Sequence, residues 1–392
     1  MNTMVIPAGI AGLEAEMIAL RQQIHAHPEL AYEEFATADL VAERLTQWGY
    51  AVHRGLGKTG VVGQLKVGSG SRRLGLRADM DALPIHEQTG LPYASTIPGK
   101  MHACGHDGHT AMLLAAAKHL AQERTFDGTL NLIFQPAEEG LAGAKKMLED
   151  GLFERFPCDA VFAMHNMPGF PTAKFGFLPG PFMASSDTVI AKVIGRGGHG
   201  AVPHKAVDPV VVCAQIVLAL QTIVARNIAP LDMAIITVGA IHAGEAPNVI
   251  PESAEMRLSV RALKPQVRDQ LQQRITEVIH AQAAVYGARA EIDYQRRYPV
   301  LVNDEAMTGF AKQVALDWVG ADGVLPDMVP LTGSEDFSFL LERCAGSYLI
   351  IGNGDGEGEG GCMVHNPGYD FNDACLATGA AYWVRLAESF LV

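Results

Sequence analysis

Hydrophobic positions in the N-terminal part of the chain recur with two different periods. Apolar residues three and four apart share one face of a helix, and this spacing predicts a helix over 12–27 with an apolar stripe at Leu13, Met17, Leu20 and Ile24. Helical and strand-like patterns then alternate, with helices over 34–47, 109–122 and 142–150 and strands over 61–67, 74–78, 129–134 and 160–164. Such alternation predicts an α/β layer with a mostly parallel sheet.

The order of the predicted elements changes near residue 183. The next six elements are a strand, a helix, two strands, a helix and a strand, over 187–195, 208–226, 233–242, 253–262, 265–286 and 288–295. This β-α-β-β-α-β order is typical of the ferredoxin-like α+β fold. After about 298 the α/β pattern returns, with a helix over 304–319, a strand over 347–352 and a helix over 373–391. We therefore predict a discontinuous domain over 1–182 and 298–392 with an inserted domain over 183–297.

Composition and charge narrow the classes of protein. The chain has 392 residues, of which 48% are hydrophobic and 19% charged, a mixture that excludes a disordered or fibrous chain. Its 30 Lys and Arg against 43 Asp and Glu give a formal charge of −13, which disfavours nucleic acid and anionic membranes as partners. Neither a run of about 18 apolar residues nor a signal-peptide pattern occurs. We expect a cytoplasmic protein whose six cysteines are reduced thiols.

Candidate metal ligands occur where predicted strands end. They are Cys104, His106 and His109 in HACGHDGH, Glu138 and Glu139 in QPAEEG, His165 in AMHNM, His365 in MVHNPGYDFND, and Asp79 and Asp81 in RADMDALP. The carboxyl ends of strands in open α/β sheets form one edge, where sites assemble. Thiolate, imidazole and carboxylate ligands suit Zn²⁺, Mn²⁺, Co²⁺ or Ni²⁺ better than Mg²⁺ or Ca²⁺. There are more candidates than one tetrahedral ion can use, so the pattern favours two bridged ions.

The adjacent residues Glu138 and Glu139 favour hydrolytic chemistry. Neighbours at a loop or helix start point in different directions, so one carboxylate can bind metal while the other takes a proton from an activated water molecule. A serine hydrolase is excluded because no G-x-S-x-G motif occurs. Adjacent glutamates also occur at solvated helix starts, and single histidines are commonly structural. For His25 and His109 we predict no catalytic role.

Six motifs occur in a fixed order along the chain: RADMDALP, HACGHDGHTAMLL, QPAEEG, GRGGHGAVPH, NVIPES and GSEDF. In order and spacing they resemble the aminoacylase and carboxypeptidase family of dinuclear metallopeptidases. The closest branch is its amidohydrolases, of hippurate hydrolase and N-acyl-L-amino acid amidohydrolase type. The resemblance extends from about Leu20 to about Asn372. It implies a metal-dependent exopeptidase-like α/β catalytic domain with an inserted ferredoxin-like lid and dimerisation domain.

The resemblance implies roles for residues of the catalytic domain. The expected ligands of the two metal ions are Cys104, His106, Glu139, His165 and His365. Cys104 stands where relatives use a bridging aspartate, so it is expected to bridge the ions. Glu138 is the expected general base. Asp81 resembles the aspartate that orients a metal-bound imidazole, although Asp79 stands where the family has a histidine.

The resemblance also implies roles in the lid domain. His199 in GGHGAVPH resembles a histidine that reaches the active site of the partner subunit and stabilises the oxyanion. Asn248 in PNVIP and Arg261 in LSVRAL resemble the groups that hold the substrate α-carboxylate, which the guanidinium fork matches. Relatives often have EGTVR where this chain has MRLSVR. Arg257 is therefore an additional cation, either a solvated edge residue or a contact to a more acidic substrate.

Two segments keep alternative interpretations. In GSEDF, the polar residues Ser334, Glu335 and Asp336 either act near the metals or cap the helix of the run DFSFLLER. The glycine-rich run over 352–361 favours a mobile acidic loop over a functional segment.

The motifs together predict a metal-dependent amidohydrolase that cleaves N-acyl amino acids, for example N-benzoyl or N-acetyl ones, to a carboxylic acid and a free amino acid. Two divalent ions per chain are expected, Zn²⁺ or Mn²⁺ ahead of Co²⁺ or Ni²⁺, with a homodimer or tetramer formed through the lid. Alternatives of the same fold are an N-acetyl-diaminopimelate deacetylase, an aminobenzoyl-glutamate hydrolase or a dipeptidase. A metal-dependent binding protein without turnover is the alternative from a different class, and Glu138 beside a full ligand set argues against it.

Overall fold

The computed structural model describes residues 5–356 and 358–392, and these residues form two compact units. The outer unit contains the described residues of Met1–Gly180 together with Val302–Val329 and Asp336–Val392. The inserted unit contains Pro181–Leu301 and Pro330–Glu335. Each unit has its own hydrophobic core, as expected for segments that fold around separate sets of buried side chains.

Helices and a central sheet make up the outer unit. Its helices are α1 (Ala8–Ala11), α2 (Glu14–Ala26), α3 (Phe35–Gln47), α4 (His106–Glu123), α5 (Glu138–Leu141), α6 (Gly143–Glu149), α7 (Leu152–Arg155), α10 (Glu305–Val319), α11 (Ser338–Leu341) and α12 (Leu376–Phe390). The strands of its sheet are β1 (Ala51–Leu56), β2 (Gly60–Val67), β3 (Arg73–Asp79), β4 (Gly128–Gln135), β5 (Ala160–Pro168), β6 (Phe175–Gly176) and β15 (Gly346–Gly354). Short strands β7 (Gly180–Met183) and β14 (Leu301–Asn303) lie where the chain passes between the units.

The central sheet is mixed rather than mostly parallel, contrary to the sequence prediction. Its strand order is β1-β2-β4-β3-β5-β15-β6. The four strands from β4 to β15 are parallel, whereas the pairs at both edges are antiparallel. The sequence analysis missed β1, whose partly exposed residues lack a clear apolar pattern. A three-residue turn over 57–59 joins β1 to β2 as a hairpin, which requires antiparallel pairing.

The parallel strands account for the position of the candidate site. All nine residues of β15 are buried, as are most residues of β3 and β5, which is typical of parallel strands covered on both faces. Because parallel strands end on the same side of a sheet, the segments that follow β3, β4, β5 and β15 meet at one edge. These segments carry most of the candidate ligands.

The inserted unit has the ferredoxin-like order that the sequence predicts. Its elements are β8 (Ser186–Ile194), α8 (Pro209–Asn227), β10 (Ala234–Ala243), β12 (Ser253–Ala262), α9 (Pro265–Val285) and β13 (Arg289–Tyr298), with the short strands β9 (Gly198–His199) and β11 (Val249–Ile250). The antiparallel sheet has the order β10-β12-β8-β13. Alternate residues of β8 and β12 are buried with apolar residues of α8 and α9, so the two helices cover one face of the sheet.

Helix α8 corrects the expectation that no segment is apolar enough for a membrane. By length and composition alone, Pro209–Asn227 could cross a bilayer. In the fold, however, α8 contributes Val212, Ile216 and Leu220 to the core of the inserted unit. Packing within the inserted unit thus accounts for part of the apolar character of α8.

Part of the glycine-rich run belongs to the sheet. Its first three residues, 352–354, are the end of β15. The prediction of a mobile acidic loop over 352–361 lies partly outside the described residues, because residue 357 is not among them.

Candidate metal centre and active site

The candidate ligands come from four segments at the carboxyl edge of the parallel strands. His165 lies within β5, and the Glu138–Glu139 pair forms the irregular turn α5 just after β4. Cys104 precedes α4, whose first residue is His106. His365 follows β15 through the glycine-rich segment and has a positive φ of 64°. Sequence positions up to 261 residues apart are thereby brought to one edge (Cys104 to His365).

Five predicted ligands form two groups that share Cys104. One group is Cys104 with His106 and His165, and the other is Cys104 with Glu139 and His365; within each, the potential ligand atoms all lie within 4.8 Å of one another. The Cys104 Sγ atom is 3.4 Å from Nε2 of His165. Nε2 of His365 is 3.1 Å from Oε1 of Glu139. The Cys104 thiol is the one member that these two groups have in common.

The electrostatics of this cluster favour a bound cation. Burial, and then the carboxylates of Glu139 and Glu138, raise the pKa of the Cys104 thiol well above its usual range. Burial lowers the pKa of His106, but Asp79 and Asp81 outweigh it and raise that pKa to about 10. A divalent cation compensates such clustered carboxylates and deprotonates a coordinating thiol.

The donor set fits two divalent ions. Both ring nitrogens of His106 are buried and make no aligned hydrogen bond within residues 5–356 and 358–392, although Nδ1 lies 3.3 Å from Oδ1 of Asp81. A metal-binding imidazole commonly has its second nitrogen beside a carboxylate in this way. The residues that would hold the ions are Cys104, His106, His165, Glu139 and His365, a mixture of thiolate, imidazole and carboxylate suited to transition metals.

Asp81 and Asp79 both support this cluster but contact different groups. Asp81 accepts hydrogen bonds from the backbone N–H groups of Glu138 and Glu139, at 3.1 and 2.9 Å. It thus orients the glutamate turn as well as approaching His106. Asp79 is fully buried, accepts from Nη1 of Arg77 at 2.6 Å and lies 2.6 Å from Nδ1 of His109.

Glu138 belongs to neither group that contains Cys104, although its carboxylate lies within 4.8 Å of potential ligand atoms of His106 and Glu139. Its side chain is buried, and its Oε1 atom accepts a 3.3 Å hydrogen bond from the backbone N–H of Asp336. Asp336 in turn accepts from Nε2 of Gln135 at 2.8 Å and from the backbone of Ala144 at 2.9 Å. Of the two interpretations of GSEDF, Asp336 therefore fits a role near the site. Ser334 and Glu335 are assigned to the inserted unit, and for them both interpretations stay predictions.

Three candidate site residues, His199, Asn248 and Arg261, lie in the inserted unit. His199 and Asn248 are neighbours, because β9 pairs with β11 and the N–H of Gly200 donates to the backbone oxygen of Asn248 at 2.8 Å. The N–H of Ala201 donates to Nδ1 of His199 at 3.0 Å, so a neutral His199 carries its proton on Nε2. Arg261 on β12 has a buried Nη1 atom with no hydrogen-bond partner among the described residues.

Arg257 is solvated, as one of its two interpretations predicts, but it lies on an interior strand rather than at the edge of the sheet. Its side chain is exposed on β12 and pairs with Glu255 at 2.8 Å. Arg257 and Arg261 share the uncovered face of the sheet, as strand alternation predicts.

A hydrogen-bonded group of residues connects the ligand-bearing segments, and sequence reasoning missed two of its members, Asn166 and Tyr369. His109 accepts a 3.0 Å hydrogen bond from the backbone of Asn166, the residue after His165, and contacts Asp79 through its other nitrogen. Nδ2 of Asn166 donates to the hydroxyl of Tyr369 at 2.6 Å. The only sequence signal was adjacency, since each residue lies within four positions of a predicted ligand.

Comparisons with known proteins identify the family of this chain. Residues 75–389 match peptidase family M20/M25/M40. The chain is 46% identical to hippurate hydrolase of Campylobacter jejuni over 97% of this chain and 98% of that protein. It is 38% identical to N-acetyl-L-cysteine deacetylase of Bacillus subtilis, over 98% and 90% of the two chains. A solved dinuclear metal-binding peptidase of family M20 from Bacillus subtilis has a TM-score of 0.83 at 32% identity, covering 97% of this chain and 99% of that one.

The family match covers most of the chain, and the relatives are similar from end to end. Three of the six motifs that carry the resemblance, RADMDALP, HACGHDGHTAMLL and QPAEEG, supply Asp81, Cys104, His106 and the glutamate turn. This protein belongs to peptidase family M20/M25/M40.

Proposed function

We propose that the protein hydrolyses the amide bond of N-acyl amino acids with two bound divalent metal ions. The observation that carries the proposal is the pair of ligand groups sharing Cys104, with a carboxylate oxygen of Glu138 within 4.8 Å of ligand atoms of His106 and Glu139. The relatives named hippurate hydrolase and N-acetyl-L-cysteine deacetylase support the reaction class. Both names denote cleavage between an acyl group and an amino acid, while the acyl groups differ.

Glu138 performs the proton transfers in the proposed reaction. When bound, two divalent cations polarise the amide carbonyl and lower the pKa of a water molecule. Glu138 takes the proton of that water and later gives it to the leaving nitrogen. The Asp336 N–H and the Asp81 carboxylate hold the Glu138 side chain and backbone in place for this task.

The inserted unit supplies groups suited to the rest of the substrate. We propose that Arg261 and Asn248 bind the α-carboxylate, because the unpartnered Nη1 of Arg261 is costly to bury unless an anion pairs with it. We propose that Nε2–H of His199 donates to the oxyanion. Preorganised donors of this kind are each worth about 10²–10³ in kcat.

We further propose that the protein is a homodimer through the inserted unit. Helix α8 exposes an apolar stripe that includes Val211, Ala214 and Leu218. Strand β10, ten residues long, is at the edge of its sheet within the described part of the chain, and such an edge is available for pairing with a second copy. In the dimer, His199 would act on the partner's substrate. A cytoplasmic location stays a prediction.

The test is release of free amino acid from a substrate panel. The panel contains hippurate, N-acetyl-Met, N-acetyl-Phe, N-acetyl-diaminopimelate, aminobenzoyl-glutamate and a dipeptide. We expect turnover of N-acyl amino acids by the metal-loaded protein, loss after chelation, and recovery when Zn²⁺, Mn²⁺, Co²⁺ or Ni²⁺ is added. Turnover of N-acetyl-diaminopimelate, aminobenzoyl-glutamate or the dipeptide alone would instead indicate the corresponding specialised hydrolase of the same fold. Two bound ions without any turnover would instead support a binding protein.

A further inference from the structure

Helix α2 presents two buried basic side chains to the segments that carry metal ligands. Arg21 and His25 are one helical turn apart and therefore share a face. Both are completely buried. Neither is a candidate ligand, and the proposed reaction uses neither, so their burial needs another explanation.

Arg21 holds the segment that follows His365. Its Nε atom donates to Oδ1 of Asp373 and its Nη1 atom to Oδ1 of Asp370, both at 2.8 Å. The guanidinium also lies 4.6 Å from the ring centre of Tyr93, whose hydroxyl donates to Asp370 at 2.7 Å. Because His365 has a left-handed backbone, which is strained for a residue other than glycine, surrounding contacts must maintain it.

The same guanidinium reaches the segment that carries His106. Nη1 of Arg21 is 3.5 Å from Oδ2 of Asp107, the residue directly after His106, and both side chains are buried. Oδ2 of Asp107 is also 2.9 Å from Nδ1 of His25, whose Nε2 is 3.3 Å from Glu87. One buried cation is thus shared between segments from two different ligand groups.

Other residues of the same N-terminal segment contact the remaining turns of the site. The N–H of Ala137, directly before Glu138, donates to Oε1 of Glu34 at 2.8 Å. The N–H directly after Asp81 donates to the backbone oxygen of Glu29 at 2.8 Å. The N-terminal segment therefore contacts the turns of the site at several separate positions. Arg21 is the residue that contacts both the segment of His106 and the segment of His365.

We propose that Arg21 is a positioning residue for the two-ion site: its guanidinium fixes the His106 segment relative to the His365 segment and thereby sets the affinity for metal. The inference rests on the proposed function, since it requires the two-ion site. Loss of groups that orient ligands typically weakens metal binding by about 10–100-fold.

The experiment compares zinc retention by full-length proteins loaded with Zn²⁺. Zinc per chain is measured against increasing concentrations of a chelator for wild type, Arg21→Met and Arg21→Lys. We expect Arg21→Met to lose at least one ion at an affinity about tenfold to a hundredfold weaker. We expect Arg21→Lys to recover part of the loss, because an ammonium keeps the charge but lacks the planar fork that reaches two carboxylates.

The matched control is Arg268→Met in the inserted unit. Arg268 is also buried, and among the described residues its side-chain hydrogen bonds all go to one aspartate, Asp187, rather than to a ligand-bearing segment. Arg268→Met should lower the melting temperature and leave zinc affinity within about threefold of wild type, since the residues that orient the metal ligands are unchanged. A merely structural role of Arg21 predicts the same outcome for both variants.

Arg21→Met leaves the carboxylates of Asp107, Asp370 and Asp373 without the cation that they share. Asp373→Ala, which keeps that cation, is therefore measured as a second variant. Asp373 is partly exposed, and its loss removes one anchor of the His365 segment while retaining the charge of Arg21. If Arg21→Met does not fold, a weaker zinc affinity of Asp373→Ala supports the inference. Folded variants that bind two ions as tightly as wild type overturn the inference alone, whereas wild-type protein that binds fewer than two ions overturns the proposed function with it.

Discussion

At the scale of single residues, Glu138 and Glu139 show how neighbours acquire different roles. The turn that carries them is not a regular helix, since Glu139 and Gly140 depart from helical φ and ψ. Glu139 therefore turns toward His365, while Glu138 accepts from the backbone of Asp336. The two carboxylates are chemically identical, and their different contacts are the basis for proposing a ligand at Glu139 and a base at Glu138.

Glu138→Gln tests this division. The amide cannot accept the proton of the attacking water, so we expect kcat to fall by about a hundredfold or more. Zinc content and melting temperature should remain near wild type, because the variant is isosteric and Glu138 belongs to neither Cys104 group. Exposed Glu149→Gln in α6 is the control. Activity above a tenth of wild type would remove Glu138 from the role of base.

At the scale of elements, the start of α4 depends on a glycine between two ligands. Gly105 has φ of 91° and separates Cys104 from His106. A Cβ atom at this position would overlap side-chain atoms of Asn166 and Tyr369. Backbone conformation and close packing thus both require glycine here.

We expect Gly105→Ala to destabilise the protein by about 2 kcal/mol or more and to weaken zinc binding, because the loop must shift. The control is Gly309→Ala in the interior of α10, where no described atom lies within 4 Å of the added Cβ. That variant should be neutral or more stable by up to about 1 kcal/mol. Denaturant unfolding and zinc retention measure both effects. Equal behaviour of the two variants would contradict the packing argument.

The contact of His25 in α2 with Asp107 in α4 should make the stability of the fold depend on pH. Burial lowers the pKa of His25, but hydrogen bonds to Asp107 and Glu87 outweigh it and raise the pKa to about 9. A histidine whose pKa is raised on folding stabilises the protein fully below its unfolded pKa of about 6.5. This contribution is lost as pH rises through about 9. The other charged or titratable groups near His25 are Arg21, His102 and Tyr93.

The measurement is the melting temperature of metal-free wild type and His25→Gln between pH 6 and pH 10. We expect wild type to be more stable by several degrees at pH 6 and the difference to shrink toward pH 10. Exposed His280→Gln on α9 should show no such trend. A difference that is constant across this range would mean that His25 is neutral in the folded protein.

At the scale of the whole molecule, the proposed dimer distributes one active site over two chains. The metal ligands and Glu138 lie in the outer unit, whereas His199, Asn248 and Arg261 lie in the inserted unit. An oxyanion donor from a partner would make activity depend on association. Mixed dimers separate this arrangement from one in which each chain acts alone.

Chains with His199→Ala are mixed with chains carrying Glu138→Ala, each nearly inactive alone. A hybrid dimer contains one site with both native residues if His199 acts on the partner, so we expect part of the activity to return. The control is a mixture of wild type with the double variant, whose hybrids contain no such site. Hybrids verified by native mass spectrometry that regain no activity would contradict the cross-subunit role.

Local patterns of apolar residues were sufficient to predict most of the helices and strands. Predicted helices and strands agree within a few residues with α2, α3, α8, α9 and β12, because their apolar periodicity matches the faces that become buried. The edge strand β1 and the direction of the outer pairs were not predictable in this way. Strand direction depends on which strands become neighbours, and a partly exposed strand has little hydrophobic pattern.

The candidate ligands and the kind of chemistry could be predicted from the sequence. The residue types at Cys104, His106, Glu138, Glu139, His165 and His365, in motifs with known order, carry that information locally. The fold was needed to show that Cys104 belongs to both ligand groups, that Asp81 accepts hydrogen bonds from the glutamate turn, and that Arg21 and His25 of α2 contact Asp107 beside His106. The physical reason is that ligation and ion pairing depend on distances of a few ångströms, and folding sets those distances between residues far apart in the chain.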